Sequence, residues 1–330
     1  MFHRNRGGAM RHGAIGNSRD QVWYRVNGLS AFALIYVSIE TLIDLIGAKV
    51  VLPGIFPDMT AARLDARYGD GLLLFSVVVA LIVALISQRK VIFGSAQADE
   101  GRVQWLTVRR INLLVLVISL TLLFAAQLVA TAAQSGLGAL ISSTNLHSPG
   151  QAGDTSDPST SAIMLFYAFL FGPLAEEVVF RGVIMNGLRP YGKIFAIVTS
   201  ALLFGFMHGS LVQGLFGFLT GLVLGYVAME YGLVWSLVLH IFNNGVYSGL
   251  LPRVMQSVPE GVRIGVGVAI LVVLLAGVIG MVAKVRPLVG YCRRNRAPKG
   301  IYASWLAPWC LIFLILCLGM AVGELIPGWL

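Results

Sequence analysis

Charge is what this sequence has least of. Of its 330 residues, 12% are charged and 57% are hydrophobic, where an ordinary soluble domain carries about 25% charged residues. That scarcity excludes a solvated globular surface. Cysteine is also sparse. Cys292 lies in a basic loop and Cys310 and Cys317 in the last apolar run, a pattern that gives no disulfide framework and reads as packing residues and free thiols. Acids are outnumbered, 15 against 24 bases, for a net charge of +9. The bases come in short clusters between apolar runs, with no basic stripe or aromatic platform, which argues against a nucleic-acid partner. Three short catalytic motifs are missing as well: His-Glu-x-x-His, Gly-x-Ser-Gly and Gly-x-Gly-Asp.

What is abundant is apolar length. Runs of 17 residues or more recur along the chain, enough to cross a hydrocarbon layer of about 30 Å. They predict an all-α, polytopic transmembrane helix bundle of about nine spans, at roughly 27–52, 71–87, 111–132, 161–189, 192–208, 211–230, 233–251, 264–283 and 305–326. The lipid bilayer is thus the first expected partner. By this reading the chain divides into a basic N-terminal tail (1–26), accessory membrane helices (27–132), a flexible outer loop without Lys or Arg beyond residue 133 (133–160), a polar membrane core (161–251) and C-terminal membrane helices (252–330). No small-residue cleavage site closes the first run, so it is read as an uncleaved span. Pro53 and Pro57 are expected to bound another outer loop.

Basic residues set the orientation. The N-terminal arginines, Arg89, Lys90, Arg102, Arg109, Arg110, Arg189, Lys193 and the 284–299 cluster fall on one side. Only Lys49, Arg63, Arg67, Arg253 and Arg263 fall on the other. The positive-inside rule then predicts a cytoplasmic N-terminus in a multi-pass plasma-membrane protein.

An ionisable group at bilayer depth costs ~2.5–3.5 kcal/mol and persists when it is paired or functional. Three segments stand out. In Glu176-Glu177-Val-Val-Phe-Arg181, Glu177 and Arg181 are i, i+4 and can pair, while Glu176 points about 100° away. The second segment is Phe204-Gly-Phe-Met-His208, and the third is His240-Ile-Phe-Asn243-Asn244, where His240 and Asn244 share a helical face. Taken singly, each is as easily explained by helix packing or a buried ion pair. Glu176 lies 15 residues before Tyr191 and His208 lies 17 after it, which puts both roughly 22–26 Å from the inner turn. His240 comes out at roughly 12 Å and Asn244 at roughly 18 Å, a mismatch that calls for tilt or broken helix ends. Glycines 214, 217, 221 and 225 mark a small-residue stripe for close helix packing. Glu40 and Asp44 are i, i+4 in the first span, with Lys49 near enough to pair, and read as structural or interfacial.

A carboxylate and an imidazole at one depth can activate water, with a second His and an Asn amide as oxyanion donors. Equally, Glu176, His208 and His240 could hold zinc or another divalent metal with an open position for water. A proton-coupled carrier would also use such groups, although no inverted repeat is seen.

Together the three segments, in this order, resemble the CAAX-protease and bacteriocin-processing family of intramembrane proteases, also called the Abi family, with type II CAAX prenyl endopeptidase-like members. The resemblance covers roughly residues 161–250. It implies that Glu176 is the general base, that His208 is its partner on the water, and that His240 and Asn244 steady the oxyanion, or that His240 joins a metal. Glu177, Arg181 and Phe204 would shape the site. The implied substrate is a peptide or membrane protein. A non-enzymatic bacteriocin-immunity or scaffold protein of the same fold is the alternative. Short loops point to a bacterial source.

Overall fold

The computed structural model of the chain describes residues 7–89, 91, 108–142, 144, 146 and 160–326. Among them the secondary structure is helical throughout, and each of the nine expected spans coincides with a helix. We label these α1 (Gly7–Ile46, prolonged to Ile55), α2 (Ala61–Ser87), α3 (Leu113–Ile141), α4 (Ala162–Tyr191), α5 (Lys193–Phe206), α6 (Leu211–Tyr231), α7 (233–257), α8 (Glu260–Arg294) and α9 (Pro308–Gly323). Six of them, α1 to α4, α6 and α8, are long and apolar enough to cross a membrane; α5 and α9 are shorter apolar helices.

Local chemistry explains where helices begin and bend. The side chains of Thr60, Asn112 and Ser161 accept from Arg63, Leu114 and Met164 backbone N–H groups, capping α2, α3 and α4. Ser161 also donates to Asp70 within α2 at 2.5 Å, tying the start of α4 to that helix. Pro53, Pro173 and Pro252 each sit two residues after a π-helical stretch, Gly47–Val51, Tyr167–Phe171 and Asn243–Leu250. The wider π turn makes room for a residue that lacks an N–H and crowds the carbonyl of the preceding turn. For that reason Pro53 lies inside the rod of α1 and does not open the loop expected there. Two further expected boundaries move. Helix α1 is already formed from Gly7, within the expected tail, and α3 runs on to Ile141, within the expected outer loop. Residues 1–6, 143, 145 and 147–159 of those segments fall outside the described residues.

The expected sidedness has a spatial counterpart. Arg19 donates to the Lys299 carbonyl, Arg25 to the Gly187 carbonyl and the Arg109 N–H to the Tyr231 carbonyl. Lys193 pairs with Glu230. The basic loops therefore meet at one end of the bundle. There the chain turns at Gly192 and Gly232, whose φ values of 129° and 103° favour glycine.

Inside the bundle α4 is central, flanked by α5 and α7, while α5 packs along α6. The small-residue stripe permits that approach. A Cβ on Gly205 would stand 2.6 Å from the Gly214 carbonyl oxygen, and one on Gly221 would stand 3.1 Å from Ala201. Helix α8 is the opposite case: 11% of its most apolar window is buried, and it leans on α3.

Candidate active site

Helix α4 carries its two carboxylates into different surroundings. Glu177, in the π-helical stretch Glu177–Met185, is fully buried, as is Arg181 at 1% exposure. The Arg181 Nη1 lies 3.2 Å from Glu177 Oε1. Its guanidinium also covers the Phe204 ring at 4.3 Å from the centroid, so an ion pair and an aromatic face hold it. Across the helix interface, His240 Nδ1 stands 3.0 Å from the same Glu177 Oε1. Ser236 Oγ is 2.6 Å from Glu177 Oε2 and 3.0 Å from the Leu224 carbonyl. One hydroxyl proton is thus shared, with the carboxylate as the nearer acceptor. Glu177 therefore compensates its burial with three partners from two helices.

These contacts fix the histidine. A carboxylate can only accept, so Nδ1–H of His240 donates to Glu177, and Nε2 is turned the other way. There it faces Glu176 Oε2 at 3.4 Å. Glu176, with 17% of its side chain exposed against 5% for His240, is the open end of the chain Ser236–Glu177–His240–Glu176.

Phe204 on α5 forms a wall of the same pocket. Its ring meets His240 edge-on at 5.9 Å and His208 at 5.0 Å. His208 follows the last turn of α5, and its Nδ1–H donates to the Phe204 carbonyl at 2.8 Å. Its Nε2 is left as an acceptor. Gly217 on α6 clears the space, since a Cβ there would stand 3.0 Å from the His208 ring. Asn244, in the π-helical start of the second half of α7, is oriented by Asn243, whose amide donates to its Oδ1 at 3.1 Å. The Asn244 amide reaches the Ala168 carbonyl on α4 by a long 3.4 Å bond.

The structure therefore joins Glu176, Glu177, Arg181 and His240 directly, adds His208 through Phe204, and ties Asn244 to the backbone of α4. It differs from the expected layout in two respects. The direct imidazole partner of Glu176 is His240, and Glu177 orients that imidazole as well as pairing with Arg181. His240 nevertheless meets Glu176 at 3.4 Å, so the two side chains reach one another despite the mismatch in depth expected from a uniform rise. Sequence reasoning missed Ser236, although its spacing of four from His240 places it on the same face as His240 and Asn244.

A divalent metal was the other chemistry expected of this donor set. Glu176, His208 and His240 do not fit one in this arrangement. Among the described residues, no three His, Cys, Asp or Glu side chains are grouped closely enough to hold an ion.

Residues 158–246, from just before α4 to the middle of α7, match the family model described as type II CAAX prenyl endopeptidase Rce1-like. The polar set lies inside that domain. No curated protein and no solved structure matches the chain.

Proposed function

From an Rce1-like type II CAAX prenyl endopeptidase domain set in a multi-pass helical membrane protein, we propose that this chain is an intramembrane endopeptidase whose base is the Glu176–His240 pair. One observation carries the reading: a single imidazole bridges two adjacent carboxylates, at 3.0 Å and 3.4 Å, within an apolar bundle. A packing role requires one of those contacts; an acid–base role uses both.

In the proposed reaction the Glu176 carboxylate takes a proton from water as the water oxygen bonds to the carbonyl carbon of the scissile peptide. His240, held by Glu177, stabilises that carboxyl through Nε2. His208, with Nδ1–H engaged, presents Nε2 as an acceptor and orients the second water hydrogen. The carbonyl oxygen becomes an oxyanion, and the Asn244 amide exchanges its long bond to Ala168 for it. The proton on Glu176 then passes to the amide nitrogen, the C–N bond breaks, and an amine and a carboxylic acid leave. No step is routed through a metal.

The substrate is a peptide or a membrane-associated protein. We place the basic end in the cytoplasm of a bacterial cell, with the protein in the plasma membrane.

Purified protein is expected to cleave members of a peptide library, and Glu176→Gln to slow cleavage by about 10²–10⁴-fold while leaving the fold intact. Wild-type turnover in that variant removes the reading. A non-enzymatic immunity or scaffold protein gives the reverse pattern, with function kept in Glu176→Gln and lost in Gly221→Leu. Turnover is also expected to survive chelation, with elemental analysis far below one metal per chain.

A further inference from the structure

Asn243 is buried, at 2% exposure, three residues beyond His240 on α7, so it projects to the same side of the helix about one turn further along. There the π-helical stretch Asn243–Leu250 packs against the π-helical stretch Tyr167–Phe171 of α4, closely enough that a Cβ on Gly245 would stand 3.6 Å from Phe169. His240 and Asn244 carry the family resemblance; Asn243, between them, does not.

Two hydrogen bonds fix which way each amide faces. The Ala168 carbonyl can only accept, so the Asn244 atom that meets it at 3.4 Å is Nδ2. Asn244 Oδ1 is then turned to Asn243, and the atom that meets it at 3.1 Å is Asn243 Nδ2. The relay from Asn243 through Asn244 to Ala168 therefore runs in one direction. Its start comes at a cost. Asn243 Oδ1 is buried without a hydrogen-bond partner among the described residues, an unfavourable state for an acceptor. An aliphatic side chain would fill the position without that penalty. Packing alone does not account for an asparagine here; the donor it supplies to Asn244 does.

That donor matters most during the reaction. As the oxyanion forms, the Asn244 amide gives up its long bond to Ala168, and the bond from Asn243 is what still holds its orientation. Turned over by 180°, an amide keeps nearly the same shape, so sterics do not choose between the two orientations. The turned amide would aim Oδ1 at the oxyanion, and a stabilising donor would become a repelling acceptor. We infer that Asn243 is a positioning residue for oxyanion stabilisation: by donating to Asn244 Oδ1 it keeps Asn244 Nδ2 aimed at the developing charge. The inference rests on the protease reading above.

The test is steady-state cleavage of a peptide identified with the wild-type protein, using Asn243→Leu, Asn244→Ala and the two combined, with Glu176→Gln alongside. Removing an oxyanion donor costs about 10²–10³-fold in kcat, the loss expected of Asn244→Ala. Asn243→Leu leaves that donor in place with its orientation unfixed, so kcat is expected to fall on the order of tenfold, with KM within about threefold. Because Asn243 acts through Asn244, the combined variant is expected to match Asn244→Ala within about twofold. A merely structural residue would lower activity as much in either background. Wild-type kcat in Asn243→Leu or in Asn244→Ala, a loss seen in KM instead, or losses that multiply in the combined variant overturn the inference. If Asn243→Leu fails to assemble, Asn243→Ala is read by the same criteria. Failure of both to assemble makes Asn243 a structural residue and overturns the inference as well. Failure of the underlying reading is seen separately, as full turnover in Glu176→Gln, which removes both.

Discussion

Two carboxylates in this bundle hold a cation and a hydroxyl, and they do so under opposite conditions. Glu230, at the basic end, accepts from Lys193 at 2.6 Å and from the Tyr291 hydroxyl at 2.7 Å, and both ion-pair partners keep some exposure, 31% and 19%. Glu177, in the middle of α4, accepts from His240 and Ser236 and faces Arg181, and its side chain is fully buried. The chemistry of the partners is similar; the solvent is not. Where water reaches, an ion pair is a clamp worth little, because each charge is well solvated without its partner. Where water is excluded, the same arrangement is obligatory, since removing one partner strands a charge. The buried cluster is also the one that continues, through His240, to a partly open carboxylate.

The contrast predicts a ranking. Arg181→Ala is expected to destabilise the protein most, by about 3–5 kcal/mol, because it leaves Glu177 buried without its cation; chemical unfolding in detergent measures this. Ser236→Ala removes one neutral donor from the same carboxylate and is expected to cost about 1–3 kcal/mol. It should also lower turnover, through a less firmly held His240, which peptide cleavage measures. Lys193→Ala at the exposed end is expected to cost about 0–1 kcal/mol and to lose even that as salt is raised. An Arg181→Ala protein as stable as Lys193→Ala would dissolve the distinction.

Much of this was legible in the sequence, for identifiable reasons. Helix positions follow from apolar length, and all nine expected spans fall on helices. The Glu177–Arg181 pair follows from a spacing of four within one segment. His240 was harder. Its contact with Glu177 joins residues 63 apart, and a uniform helical rise puts it at a different depth from the carboxylates it meets. Pro53 misled because proline usually ends a helix, yet here a preceding π turn absorbs it. Ser236 was hidden by its ordinariness, being a small hydroxyl in an apolar run with only its spacing from His240 to mark it.

Whether Glu176 and His240 act as one acid–base unit is the claim on which the rest stands. A double-mutant cycle on single-turnover peptide cleavage, with Glu176→Gln, His240→Ala and the combined variant, tests it directly. Groups that work as a unit lose their activity once, so the double variant is expected to be no slower than the slower single variant. Losses that multiply would mean two independent contributions, and would contradict the account.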